Sequence, residues 1–248
     1  MATPTRLDNG VGTVKITHPL GMYPLPNPFQ VFYQFDDFAA FRTVDWTTTA
    51  GGAGSAAALT AGIGGLFLIT TATSGAESIQ HTTGDISFTN STSAVNGLKV
   101  WFQTRLLMDA TVANPDYQVG LASANTTFNG ATDGVYFTKA TGATTWSFVV
   151  KAGSTATTVA IPGTTPVSSA WIDLAYYFDG KGMFYIYFNK VCVATYGTGP
   201  TSVGSLGSSL ANLPGPTVML APVFLNGFHT GTSLLTLDYQ LAACEVNR

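Results

Sequence analysis

The sequence predicts an all-β protein in which two antiparallel sheets pack face to face as a jelly-roll sandwich. Pairs that accept the positive φ of tight hairpin turns recur along the chain; they are Asn96-Gly97, Asn129-Gly130, Asp133-Gly134, Asp179-Gly180 and Asn226-Gly227. Between them, short stretches alternate apolar and polar side chains, as a strand with one buried face does. Only residues 36–42 and 203–213 have a helix-compatible pattern, each of one or two turns. About a dozen short strands at regular spacing favour a sandwich.

The alternation is clearest in four stretches, residues 98–108, 146–151, 172–178 and 235–241. The side chains expected to face the core are Leu98, Val100, Phe102, Leu106 and Met108; Trp146, Phe148 and Val150; Ile172, Leu174, Tyr176 and Phe178; and Leu235, Leu237, Tyr239 and Leu241. Their polar neighbours are expected on the opposite faces: Lys99, Gln103 and Arg105 in the first stretch, Asp238 and Gln240 in the last. Met183–Phe188 is apolar or aromatic throughout, which predicts a central strand covered on both faces.

The first 28 residues differ from the rest and predict an extended N-terminal arm before a single sandwich domain at 29–248. Four prolines deny the arm both helix and sheet hydrogen bonds; they are Pro19, Pro24, Pro26 and Pro28. Because prolines pre-extend the chain, docking such a segment costs less conformational entropy. The candidate partner-binding residues are Pro19, Leu20, Met22, Tyr23, Leu25 and Phe29. A disordered terminus is the alternative interpretation.

Composition narrows the classes of function. Charged residues make up 9% of the chain and the formal net charge is −3, against about 25% charged residues in an average domain. The basic residues are scattered, which disfavours nucleic-acid binding. No charge occurs between Trp46 and Ala76, but Gly62, Gly64 and Gly65 interrupt that apolar run, so no membrane insertion is expected. The sequence also predicts no signal peptide and two unlinked cysteines.

Catalytic patterns are missing, so the sequence predicts a protein that is not an enzyme and needs no cofactor or metal. Glycoside hydrolysis requires two carboxylates that flank the scissile bond, yet the only glutamates are Glu77 and Glu245. Asp36 and Asp37 are adjacent and would point to opposite faces of a strand. The three histidines are isolated, without metal-site spacing. Turn formation explains Asp109, Asp116 and Asp133 better than calcium binding does.

The tryptophans are the candidates for contact with a glycan, because aromatic rings stack on sugars. They are Trp46, Trp101, Trp146 and Trp171. Trp101 is singled out because alternation places it opposite Val100 and Phe102, beside Lys99 and Gln103. Core or interface packing is the alternative for all four.

Residues 171–194, WIDLAYYFDGKGMFYIYFNKVCVA, resemble the strand–hairpin–strand of concanavalin A-like and laminin-G-like jelly rolls. In those folds a Trp opens a strand, an Asp-Gly hairpin follows, and the next strand ends at an Asn-Gly turn. Here Asn189 is followed by Lys190 instead of Gly, so this turn must accommodate a β-carbon. Residues 235–239 and 64–68 resemble the last strand and an early Gly-Gly strand entry. The resemblance implies a concanavalin A-like fold, which hosts lectins, glycosidases and structural modules.

The proline-rich arm and the low-charge, Thr/Gly-rich sandwich also resemble structural proteins of tailed bacteriophages. Capsid decoration (cement) proteins and tail accessory proteins are of this kind. The resemblance implies a non-enzymatic virion protein, made in the host cytoplasm, that binds and stabilises the outer shell. Its expected partners are itself, as a homo-oligomer such as a trimer, and a major capsid or other virion protein. The alternative is a glycan-binding, lectin-like module of a tail or host-adsorption apparatus.

Overall fold

A computed structural model describes residues 7–8, 11–12, 31–50, 55–60, 65–71, 77–82, 84–88, 97–108, 115–123, 127–197, 210–227 and 232–246. Two antiparallel sheets form a sandwich, as the sequence predicts, and no helix occurs among these residues. A separate pair of two-residue strands, β1 (Leu7–Asp8) and β2 (Val11–Gly12), lies near the N-terminus.

The first large sheet has seven strands in the order β12-β11-β10-β9-β16-β7-β4. Their bounds are β4 Trp46–Ala50, β7 Glu77–His81, β9 Tyr117–Ala122, β10 Gly134–Lys139, β11 Ser147–Ala152, β12 Thr155–Ala160 and β16 Ala221–Asn226. All neighbours are antiparallel. Strands distant in sequence, such as β7 and β16, therefore lie side by side.

The second large sheet has eight strands, ordered β15-β14-β13-β8-β17-β6-β5, with β3 also paired to β17. Their bounds are β3 Val31–Asp36, β5 Ala56–Thr60, β6 Leu66–Thr71, β8 Val100–Met108, β13 Trp171–Phe178, β14 Met183–Phe188, β15 Val191–Gly197 and β17 Ser233–Glu245. The antiparallel pair predicted within residues 171–194 is β13 and β14. Strand β14 lies between two others, as its apolar composition predicts.

The core between the sheets confirms most of the predicted alternation. Val100, Phe102, Leu106 and Met108 of β8 belong to it, and so do the predicted inward residues of β11 and β13. Tyr176 contacts both sheets: its ring lies 5.6 Å from that of Phe148, and its hydroxyl donates to the carbonyl of Val135. The two sheets thus share one aromatic core.

The prediction for residues 235–241 is wrong at its C-terminal half. The pairing of β17 with β8 shifts register between Leu237 and Tyr239. A β-bulge adds one residue to a strand and so exchanges the two faces beyond it. Leu235 and Leu237 lie in the core, but Tyr239 and Leu241 face outward, and Ala242 and Cys244 take their place inside. Gln240, predicted to face outward, is buried on the inner face.

Neither predicted helix is present in the described residues. Asp36 ends β3, and a loop with a turn at residues 43–45 leads into β4. Of residues 203–213 only 210–213 are described, and they form a turn. The six candidate partner-binding residues, Pro19 to Phe29, lie outside the described residues. Cys192 and Cys244 are not linked, as predicted.

Candidate ligand-binding surfaces

The outer face of the seven-stranded sheet carries a polar pocket of about 380 Å³, here called the threonine pocket. Strands β4, β7, β16 and β9, which are neighbours in the sheet, supply most of its lining. The lining residues are Thr47, Thr49, Gln80, His81, Thr82, Gly84, Ala122, Ser123, Met219 and Ala221. Hydroxyl and amide groups surround a floor of small apolar residues, a mixture that suits a small neutral polar ligand.

Strand alternation explains why these side chains are available. Trp46 and Ile79 point into the core, so Thr47, Thr49 and Gln80 point the other way. Two hydrogen bonds position the rim: Gln80 Nε2 donates to the Ala122 carbonyl at 3.3 Å, and Thr82 Oγ1 donates to that of Val44 at 2.9 Å. Gln80 and Thr82 are therefore held in place before a ligand arrives.

His81 links the pocket to a polar cluster at the sandwich edge. Its Nδ1 accepts from Gln34 Nε2 at 3.1 Å, and its ring lies edge-on to Trp46 at 5.3 Å. Gln34 Nε2 also donates to Asp85 at 3.4 Å, while Trp46 Nε1 donates to Asp36 at 2.7 Å. Asp36, Asp85 and His81 therefore each have a hydrogen-bond partner within the fold.

Residues 127–133, here called the covering loop, lie over β9, β10 and β11 on the same face. The Asn129 amide donates to Gln118 Oε1 of β9 at 2.8 Å, and Lys151 Nζ of β11 donates to the Asn129 carbonyl at 2.7 Å. The Asp133 side chain accepts from the Gly153 amide at 3.0 Å, and the Ser154 amide donates to the Thr132 carbonyl at 2.7 Å. The loop is thus fastened to strands β9 and β11 and to the turn between β11 and β12, and it forms a fixed wall beside the pocket.

Tyr136 lies under the covering loop, in a cluster with Ala122, Ala131, Val149 and Val223. Its neighbours on β9 and β10 must be small: a β-carbon on Gly120 would come within 2.5 Å of Tyr136 Cα. Burial raises the pKa of Tyr136 to about 12. Its hydroxyl has no hydrogen-bond partner among the described residues. This half of the face is filled by the protein itself.

The outer face of the eight-stranded sheet is apolar in its central part, here called the aromatic band. Strand register aligns two rows across β3, β17, β8, β13 and β14: Tyr33, Ala243, Trp101, Tyr177 and Tyr185, then Phe35, Leu241, Gln103, Ala175 and Tyr187. The Trp101 and Tyr177 rings are 5.4 Å apart. Tyr33 and Phe35, on β3, are 66% and 55% exposed.

Ion pairs border the aromatic band at both ends. Lys99 Nζ lies 2.8 Å from Glu245 on one side. On the other, Arg105 lies 3.1 Å from Asp238, and Lys190 lies 3.8 Å from Asp173. The Arg105 guanidinium also lies 5.1 Å from the ring centroid of Trp171. Because these pairs are neutral in sum, the band has no strong field of either sign.

The carboxylates do not form a glycosidase pair in the described part of the chain. The seven strands of the first sheet contain one acid, Glu77. Asp36 accepts from Trp46 and from the Phe38 amide, and Asp37 accepts from the Ala39 amide. Glu245 is paired with Lys99. Asp36, Asp37 and Glu245 therefore each have a structural partner, and the lining of the threonine pocket contains no carboxylate.

The tryptophans lie in different environments from one another. Trp46 and Trp146 belong to the core, and Trp171 is half-buried beside Arg105. Trp101 does face outward, as predicted, but it is only 1% exposed. Stacking on a sugar would require movement of its surroundings, so Trp101 lies in the aromatic band without a free ring face.

Two of the three acids assigned to turns are described, and each accepts a hydrogen bond from a loop distant in the chain. Asp116 accepts from the Thr141 amide, and Asp133 from the Gly153 amide; Asp109 lies outside the described residues. No cluster of three or more potential metal ligands occurs within the described ranges. The same ranges contain no helix with the length and hydropathy needed to cross a bilayer.

The threonine pocket was not predicted from the sequence. Its residues come from four strands whose order in the sheet, β9-β16-β7-β4, differs from their order in the chain. Single threonines on alternating strands look like ordinary surface residues. The one available signal was the run of threonines at 47–49.

No family model matches the chain, and no curated protein matches its sequence. Solved structures match its fold. An endo-acting O-glycanase of the human gut microbiota matches with a TM-score of 0.58 at 9% identity, over 86% of this chain and 99% of that one.

Two further matches represent a lectin and a second glycosidase. The basic winged bean lectin, solved with Tn-antigen, has a TM-score of 0.54 at 7% identity, over 88% of this chain and 100% of that one. A β-1,3-glucanase from Mycobacterium marinum has a TM-score of 0.52 at 14% identity, over 85% and 97%. At such identities the likeness concerns the fold alone, which is that of the concanavalin A-like sandwiches, as predicted.

Proposed function

We propose that this chain is a non-enzymatic attachment protein, a capsid decoration protein that binds a protein shell through the aromatic band. The observation that carries the proposal is the composition of this face. The outer face of an antiparallel sandwich sheet normally meets water and is polar. Here two rows of mostly apolar and aromatic side chains, with Gln103 as the polar exception, cross five strands. Most of the band is buried, but Tyr33 and Phe35 at its β3 end are exposed, and exposed apolar groups of this kind mark interaction sites.

The exposed rings and the bordering charges of the band indicate which kind of partner would fit it. Tyr33 and Phe35 project with 66% and 55% of their surface exposed, and exposed aromatics commonly anchor protein interfaces. The bordering charges are already paired within the chain. The fitting partner is therefore a near-neutral protein surface with apolar pockets for two rings.

The position of the arm supports the same face. Residues 1–30 precede Val31, and Val31 packs with Trp101, Tyr177 and Ala243 in the band. The chain that follows the predicted partner-binding residues, Pro19 to Phe29, thus begins its described part at Val31, beside the proposed interface. Binding by the arm and by the band would involve one continuous surface.

The absence of enzymatic activity is part of the proposal. Two carboxylates about 5–10 Å apart are needed to cleave a glycosidic bond. The seven strands of the sheet that carries the threonine pocket contain a single acidic residue, Glu77. We expect no release of reducing sugar from β-glucans or galactans. Turnover that a single Asp→Asn substitution abolishes would contradict this part.

The docking proposal is tested by cosedimentation with shells of the major capsid protein encoded in the same genome. The double variant Tyr33→Ser/Phe35→Ser should bind at least tenfold more weakly than the unmodified protein. Val44→Ser/Val167→Ser is the matched control, because these residues are 69% and 51% exposed but lie elsewhere. Equal binding by both double variants, or no binding by the unmodified protein, would contradict the proposal.

Removal of residues 2–28 tests the arm separately. The truncated chain should keep the far-ultraviolet circular dichroism of a β-sandwich and lose attachment. Native mass spectrometry of the full and truncated chains also tests the predicted homo-oligomer. A truncated chain that decorates shells normally would show that the band alone suffices for attachment.

Glycan binding at the threonine pocket is the second candidate, and the pocket itself favours it. Hydroxyl and amide side chains around an apolar floor provide the contacts that a sugar makes. The matching lectin and glycosidases support the choice of ligand class, although at 7–14% identity. A glycan array is the test. A glycan that binds the unmodified protein but not the Thr47→Arg variant would support this candidate, and an array without binders would contradict it.

A further inference from the structure

We propose that the threonine pocket takes the neutral end of a glycan, one or two uncharged sugar residues, and does not bind the interior of a long chain. The inference rests on the second candidate function, glycan binding. It specifies the size, charge and direction of approach of the ligand.

Size follows from the volume of the pocket and from the wall beside it. The volume, about 380 Å³, is near the lower end of the roughly 300–1,000 Å³ found for small-molecule sites. Ser123 lines the pocket and is also where the wall begins: its amide donates to the Asp133 carbonyl at 2.9 Å. A chain that crossed the sheet from β4 toward β11 would run into the covering loop.

The wall is rigid enough to stop a ligand. Lys151 and Gln118 hold Asn129 from two strands, at 2.7 and 2.8 Å, and both side chains are buried. Charge-assisted and buried hydrogen bonds are expensive to break. Since β4 is an edge strand, the ligand enters across that edge and stops at the wall.

Charge follows from the lining. None of the lining residues is Asp, Glu, Lys or Arg. The nearest charged side chains of the covering loop and its support, Asp133 and Lys151, are bonded to Gly153 and Asn129. A uronic or sialic acid carboxylate would lose its hydration without gaining a cation, which is unfavourable. Neutral sugars lose less hydration free energy on entering the pocket. Their C–H faces can pack on the floor formed by Ala122 and Ala221.

The test begins with an array of neutral and acidic glycans, followed by calorimetric titration of the best neutral binder. The titration compares its monosaccharide, disaccharide and heptasaccharide with the corresponding uronic acid. We expect affinity to stop rising at the disaccharide and to fall at least tenfold for the uronic acid. Affinity that continues to rise with length, or a preference for the acid, would overturn this inference while glycan binding stands. An array without binders would overturn both.

A charge substitution gives an independent measurement. Thr47→Arg places a cation in the lining. The variant should bind neutral sugars more weakly than the unmodified protein does, and it should bind the uronic acid at least tenfold more tightly. Thr48→Arg is the matched control, because Thr48 is exposed on the same strand but alternates to the other face. If Thr48→Arg has the same effect as Thr47→Arg, the ligand does not lie in the pocket and the inference is wrong.

Discussion

The two outer faces of the sandwich are covered in different ways. On the seven-stranded sheet, the covering loop lies over Tyr136 and Gln118 and leaves one polar pocket. On the eight-stranded sheet, Trp101 and Tyr177 are buried, and Tyr33 and Phe35 are the exposed rings of the aromatic band. The first face is covered in part by the chain's own loop, whereas the second exposes two aromatic rings on β3.

Because the two faces differ in this way, they suit different kinds of ligand. A face closed by its own loop can hold a small ligand with fixed hydrogen bonds. A face with exposed rings and paired border charges favours a larger apolar partner. Four predictions test whether the two faces differ as described, from the largest expected effect on stability to the smallest.

Trp101→Ala should lower the free energy of unfolding by about 3–5 kcal/mol, the usual cost of removing a buried aromatic ring. Trp101 is 1% exposed although it lies on an outer face. Urea denaturation measures the change. Trp171→Ala, at a half-buried position on the same face, is the control and should cost clearly less. Similar losses for both would mean that the band is no better packed than its border.

Lys151→Met should cost about 2 kcal/mol, since hydrogen bonds from charged groups contribute about 1.5–3 kcal/mol. Lys151 is 8% exposed and donates to the Asn129 carbonyl at 2.7 Å. Hydrogen–deuterium exchange should accelerate in the covering loop. Lys181→Met, on an exposed turn, should change neither quantity. Unchanged exchange at residues 127–133 would show that the loop does not depend on this contact.

Tyr136→Phe should stabilise the protein by about 1 kcal/mol at pH 7, because it removes a buried hydroxyl without a described partner. It should also reduce alkaline sensitivity. The pKa of Tyr136 is raised to about 12 in the fold. Between pH 10 and 12 this hydroxyl therefore ionises in the unfolded chain but stays neutral in the folded one, so its ionisation lowers the stability as pH rises. Urea titrations at pH 8, 10 and 11 measure both effects. A destabilised variant with an unchanged pH slope would contradict them.

Tyr33→Ser and Phe35→Ser should each change the free energy of unfolding by less than about 0.5 kcal/mol, as exposed positions usually do. Their rings contribute little to the isolated sandwich because more than half of each is exposed. The shift in thermal midpoint measures this. A loss above 1 kcal/mol would mean that these rings stabilise the fold itself and would weaken the distinction between the two faces.

The strands could be predicted from sequence because alternation is local. The faces of β8, β11 and β13 are as the pattern indicated, and the aromatic composition of β14 correctly predicted an inner strand. The bulge at Asp238 could not be read in this way, since Leu235 to Leu241 alternates whether or not a residue is inserted in the pairing. Only the partner strand β8 reveals the shift.

The candidate sites were harder to predict because they depend on strand order. Thr47, Gln80, Ser123 and Ala221 are far apart in the chain and meet only because β4, β7, β16 and β9 are neighbours. Trp101 was correctly assigned to an outer face, yet its burial depends on neighbours such as Tyr177. Local patterns give the direction of a side chain but not what lies above it.

Strand β17 also determines when this protein can fold during synthesis. It pairs with β8, β6 and β3, and its residue Glu245 lies opposite Val31, more than two hundred residues earlier. At about 5–20 residues per second on the ribosome, β3 waits roughly 10–40 s for its partner. During that interval Tyr33 and Phe35 belong to an unpaired strand beside the unpaired edge of β8, a condition that invites aggregation. A nascent chain stalled before residue 233 should therefore be bound by chaperones, and release should follow once β17 has emerged.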